Sequence, residues 1–196
     1  KVENADNDFM YVARAAFSPF GTFEYSQAHL EKNPEKPLLR IGAAIAGIPG
    51  LEPAKESTDG KAGARCSDTG ADKCDVVQFT ADGVFKWMGF ATEVEYDWRK
   101  IDPSGAFDSV NAWGLRAQAS YVHWPSKMGV GFRFAVVDRD TDVDGNNRYE
   151  YTPGISYYPF GHRLKVQADY SYLVEERPND SDLNDNRVRL QLQFYF

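Results

Sequence analysis

The final residues of the chain, 187–196, alternate in character. Val188, Leu190, Leu192, Phe194 and Phe196 are separated by Arg187, Arg189, Gln191, Gln193 and Tyr195. A period of two marks a β-strand with two different faces. The pattern recurs upstream. In 162–174, Leu164, Val166, Ala168, Tyr170 and Tyr172 alternate with Arg163, Lys165, Gln167, Asp169 and Ser171. In 128–138, Val130, Phe132, Phe134 and Val136 alternate with Gly129, Gly131, Arg133 and Ala135. Segments 90–100, 112–122 and 148–158 alternate as clearly, and 8–17, 37–46 and 75–85 more weakly, so nine strands are predicted. Pro153 falls inside one of them; it cannot donate to a ladder, so a bulge is expected there. No segment carries an amphipathic helical pattern.

The links between these segments alternate as well. Short ones (86–89, 123–127, 159–162) are interleaved with long polar ones (47–73, 101–111, 139–147, 175–186), and only 21–36 breaks the rhythm. Tight turns at one end and long loops at the other are the asymmetry of outer-membrane barrels. Trp87, Trp124, Tyr157, Phe160, Tyr195 and Phe196 fall near strand ends, where a membrane interface places aromatics. An apolar terminal strand left at an open edge is an aggregation hazard in water. In a transmembrane barrel its apolar face meets lipid. The fold expected is therefore all-β: a transmembrane antiparallel up-and-down β-barrel, with 1–196 forming one barrel portion and no separate soluble domain. A soluble β-barrel or lectin-like binding protein is the competing reading.

Composition changes this picture little. No run of 18 apolar residues exists; the longest, 41–51, is broken by Gly42, Gly47, Pro49 and Gly50. The negative mean hydropathy is compatible with strands that are half polar and loops that are charged. Aromatic residues make up 14% of the chain, which suits aromatic girdles and equally a carbohydrate-binding β protein. The first six residues lack the apolar core of a signal peptide. An exported protein loses that segment, so the expectation is of a start removed or lying upstream.

Cys66 and Cys74 lie in a polar, glycine-rich link with no histidine nearby. That points to a loop-stapling disulfide formed in an oxidising compartment; two unrelated thiols are the alternative.

The charges sort by face. The channel-lining candidates are Arg14, Arg40, Lys86, Arg99, Arg116, Arg133, Arg148, Arg163, Lys165, Arg187 and Arg189, with Glu93, Glu95 and Asp97; Asp82, Glu150 and Asp169 share their face. This wall carries an excess of about five positive charges in a chain of net charge −7, leaving about −12 for loops and turns. Guanidinium groups lining a water-filled pore favour anions. The competing reading is that arginine and acid pairs brace the wall. Asp140, Asp142 and Asp144 resemble the start of a calcium-binding loop, but Tyr151 stands where the bidentate glutamate belongs, so a solvated hairpin is the main reading. The three histidines are scattered, no phosphate-cradling glycine loop occurs, and no basic patch is interleaved with aromatics. No enzyme, cofactor or nucleic-acid partner is expected.

Several stretches carry a family resemblance: Phe9-Met-Tyr-Val-Ala-Arg-Ala-Ala-Phe-Ser-Pro-Phe-Gly, Lys36-Pro-Leu-Leu-Arg-Ile-Gly-Ala-Ala, Gly154-Ile-Ser-Tyr-Tyr-Pro-Phe-Gly-His-Arg-Leu-Lys-Val-Gln-Ala-Asp-Tyr and Asn186-Arg-Val-Arg-Leu-Gln-Leu-Gln-Phe. In this order and spacing they resemble the phosphate-selective porins of the O and P type, bacterial outer-membrane proteins. The resemblance implies a trimer of ~16-stranded barrels roughly twice this length, of which this chain would be the carboxyl-terminal half. The terminal Phe196 resembles the assembly signal of outer-membrane proteins. The expected function is passive diffusion of small hydrophilic solutes, with a preference for anions and phosphate as one candidate. The expected surroundings are outer-membrane lipid and lipopolysaccharide, small anions, and a missing amino-terminal barrel half or a partner chain. A structural barrel that anchors an assembly and conducts little is the rival. Nine is odd, and single-chain bacterial barrels have even counts, so this chain alone is expected not to close.

Overall fold

A computed structural model of the protein describes residues 9–21, 28–30, 37–52, 66–178 and 180–195. Among these residues lie β1 (Tyr11–Phe17), β2 (Leu38–Leu51), β3 (Cys74–Trp87), β4 (Phe90–Pro103), β5 (Val110–His123), β6 (Met128–Asp138), β7 (Arg148–Tyr157), β8 (Leu164–Glu175) and β9 (Leu183–Phe194). They form one sheet in chain order, every neighbour antiparallel. A four-residue helix α1 (Cys66–Thr69) and a 3-10 turn (Gly161–Arg163) complete the described elements. The sheet is open: β1 and β9 are its two edges and do not pair with each other.

The nine expected strands are present, but most overrun their expected ends. β2 continues past Ala46 through Gly47 and Pro49, its register shifting between Ile48 and Leu51. The bulge expected at Pro153 is absent: Tyr151↔Tyr172 and Gly154↔Asp169 keep one register, and the β7–β8 ladder only skips Thr152 and Pro153. Thr152 bridges that gap by donating its hydroxyl to Ser171 Oγ at 2.8 Å. The longer strands also shrink the contrast between links. Residues 104–109 form a link as short as 158–163 at the opposite end.

The turn between β3 and β4 shows why some links must be tight. Met88 and Gly89 both have positive φ, as a two-residue hairpin turn requires. A Cβ on Gly89 would lie 2.6 Å from the Val122 carbonyl oxygen, so only glycine fits.

Following partners from strand to strand, Phe17 at the turn end of β1 is level with Ile41, Gly83, Val94, Ala117, Phe134, Tyr151, Tyr172 and finally Asn186. Asn186 stands eight residues before Phe194, the turn end of β9. The sheet therefore steps by about one residue per strand. With a rise of ~3.4 Å and a strand spacing of ~4.8 Å, strands incline by about 35°.

Paired residues share a face, so the register sorts every side chain. One face carries Phe79, Val94, Phe132, Ile155, Leu190 and their like, many of them exposed. Between positions 90–98 of β4, 113–121 of β5 and 164–174 of β8, this face presents only apolar or aromatic residues and Thr92. Allowing for the inclination, these runs span about 22–28 Å. Its charged strand residues, Asp75, Lys100, Asp102 and Asp138, lie toward the end away from the tight turns. The opposite face is polar. The two buried apolar clusters sit on that polar face, one at each end.

Candidate functional site on the polar face

Except for Lys100, the basic residues of the strands fall on the polar face as expected, and most are engaged. Arg116 donates to Glu93 at 2.5 Å and lies 3.6 Å from Glu95. Arg133 donates to Glu150 at 2.5 Å, and Arg187 reaches the same carboxylate oxygen at 3.3 Å. Arg148 pairs with Glu175 at 2.8 Å and Arg189 with Asp169 at 3.0 Å. Arg14 pairs with Asp82. Asp97 accepts a hydrogen bond from Thr80 at 2.6 Å. Lys86 is buried beside the turn end, and Arg99 stands on the same face of β4. Arg163 departs from the expectation: it lies in the 3-10 turn, exposed, outside the strand. Arg40 and Lys165 have no carboxylate within ion-pair distance among the described residues.

Sequence reasoning missed two acids of this wall. Glu175 and Asp185 lie on the polar face because β8 and β9 extend beyond their expected limits. With Arg163 outside the strand, they lower the positive excess from about five to about two. The bracing reading of the arginines therefore gains most from the geometry.

Toward the turn end the wall changes character. In one row, Ser120, Gly131, Gly154, Asp169 and Arg189 are successive partners. In the next, Val122, Gly129, Ser156, Gln167 and Gln191 follow. The glycines and Ser156 leave β6 and β7 bare, so side chains of β5 on one flank and β8 and β9 on the other enclose a concavity of about 740 Å³. Asp169 Oδ2 accepts from Arg189 at 3.0 Å and from Gln167 at 3.2 Å, while its buried Oδ1 has no hydrogen-bond partner. The Lys165 ammonium stands 6.0 Å from the Tyr158 ring centre. Burial holds the Tyr158 phenol above its ordinary pKa.

Both ends of the polar face are covered by inward segments that sequence patterning gave no sign of. At the end away from the tight turns, Cys66 and Cys74 are disulfide-bonded, with Cα atoms 5.8 Å apart. They and Ala71 pack on Val76, Ile101 and Ala112. The expected staple is thus present, and it seats α1 on the wall instead of leaving it in a solvated loop. At the turn end, Ala28 and Leu30 pack on Val122, Tyr158 and Trp124. His29 between them is fully buried, and its Nδ1 accepts the Gly89 N–H at 3.0 Å.

The carboxylates Asp140, Asp142 and Asp144 do not converge. Asp138 and Asp140 instead accept N–H bonds from the residues two positions on, at 3.1 Å each, as in hairpin loops. Among the described residues no three potential metal ligands cluster. Phe196 lies outside the described residues.

No protein-family model, curated protein or solved structure matches this chain.

Proposed function

We propose that the chain forms part of the wall of a bacterial outer-membrane β-barrel porin, through which small hydrophilic solutes diffuse passively. The observation that carries this reading is the division of the sheet. A band of apolar and aromatic side chains, about 22–28 Å tall, backs a face of charged and amide side chains. The height suits the ~25 Å apolar band of outer-membrane barrels, and an inclination of about 35° lies within their range. Further strands, from the same polypeptide or a partner, would pair with β1 and β9 to close the wall. The likeness to phosphate-selective porins belongs to this reading, as do a trimeric assembly, outer-membrane location and contact with lipopolysaccharide. The anion preference is modest, because the arginines are largely neutralised by their acids.

The segments seated on the polar face at both ends favour one rival, a barrel that anchors an assembly and conducts little. Purified protein reconstituted into planar bilayers separates the two. Stepwise single-channel conductance is the expected result; insertion without conductance supports the anchoring barrel. A protein that stays monodisperse without detergent would overturn the membrane reading altogether.

A further inference from the structure

We infer that the glycine-floored concavity between β5 and β9 is a binding subsite for a neutral, polyhydroxylated solute of the sugar class. The inference deepens the porin reading and rests on it, since the site lies on the face taken as the pore wall.

The inference rests on the chemistry of the flanks. Gln118 stands on one side, and Gln167, Gln191 and Gln193 on the other. A side-chain amide both donates and accepts, as does a hydroxyl group. Of the charged residues lining it, Arg133 is held by Glu150 and Arg189 by Asp169, while Lys165 offers N–H donors. A phosphate ion, which mainly accepts, would meet Asp169 and the amide oxygens unfavourably. A cation would meet Lys165 and Arg189. A polyol can satisfy donors and acceptors together.

Shape agrees with chemistry. Gly131 pairs with Gly154, so the floor at that level is bare backbone across two strands. The backbones of β5 and β8 are three strand spacings apart, about 14 Å. Three side chains rising from β6 and β7 would erase the concavity; instead Gly129, Gly131 and Gly154 occupy those places. In contrast, Arg133, Thr152 and Arg187 in the row beyond close the wall with an ion-pair and hydroxyl network.

The test uses the full chain with whatever completes its native barrel, extracted from its membrane. Maltose is titrated against single-channel current in planar bilayers and, separately, against the detergent-solubilised protein by saturation-transfer NMR. The expected result is saturable current block by maltose, with saturation transfer to its ring protons. Gln191→Leu should weaken the apparent affinity about five- to ten-fold, the loss of one or two hydrogen bonds. Gly131→Leu, which fills the floor, should abolish it; Gln191→Leu guards against misfolding of the glycine variant. Block by inorganic phosphate but not maltose would overturn the solute class. Conductance with no maltose effect in either measurement would overturn the subsite while leaving the porin. Maltose binding by NMR without conductance would sink the porin reading and leave the subsite standing.

Discussion

Arg14 and Asp82 form an ion pair across a strand to which neither belongs. Arg14 is on β1, Asp82 on β3, and the guanidinium passes over Gly42 of β2. A Cβ at Gly42 would lie 2.7 Å from the Arg14 Nη2 and 2.8 Å from an Asp82 oxygen. Gly42→Ala should therefore displace the pair while leaving the ladder intact. Arg14 is 43% exposed, so screening limits the cost. A loss below about 1 kcal/mol in urea unfolding from detergent micelles is expected, and Gly42→Leu should lose more.

Glu150 holds two guanidinium groups, Arg133 and Arg187. Glu150→Gln removes one negative charge and releases both. One unit charge ~7 Å from an ion path in water is worth about a two- to three-fold change in local ion concentration. Anions gain what cations lose, so the anion-to-cation permeability ratio, read from the reversal potential in a salt gradient, should rise by up to the square of that factor, about four- to nine-fold at low salt. The shift should shrink as the Debye length falls from ~10 Å at 0.1 M to ~3 Å at 1 M salt. Replacing Arg133 and Lys165 with Glu should move the ratio the opposite way.

The disulfide of Cys66 and Cys74 holds α1 against the polar face, with both cysteines buried. Closing so short a loop stabilises by about 2–3 kcal/mol on chain-entropy grounds. The double variant Cys66→Ser, Cys74→Ser should lose about that much local stability and increase channel conductance as the segment leaves the wall. In the unmodified protein a membrane-impermeant alkylating reagent should label neither cysteine until reductant is added.

Pro153 interrupts only the ladder to β8. Pro153→Val restores an N–H without demanding a new register. Unfolding should change by no more than about 1 kcal/mol, and backbone NMR shifts should alter only around Thr152 and Ser171.

The strand centres were legible in the sequence because the environments of the two faces differ. Alternation assigned Arg116, Arg133 and Arg189 to the face they occupy. The ends were not legible where alternation fails. Asn184 and Asp185 read as loop because both faces are polar there, yet they pair with Val174 and Leu173. At Gly47 and Pro49 the flexible, turn-like composition hides a strand that its partner β3 continues to order. The acids of each pair were visible but their choice of partner was not. Glu150 takes its arginines from β6 and β9, the second by reaching over β8, and no local spacing encodes that reach. The burial of His29 had no signal at all, since it depends on Gly89, sixty positions away.

Because every neighbouring pair is antiparallel, β1 and β9 point the same way. A ring of identical copies turned about a common axis would bring β9 of each against β1 of the next, and those two strands would run parallel. Such a ring would carry one slanted, parallel ladder at every joint in an otherwise antiparallel wall. A wall antiparallel throughout can instead be completed only by a piece that begins and ends in the opposite sense. The two open edges thus discriminate by polarity, and select against simple rotational self-assembly.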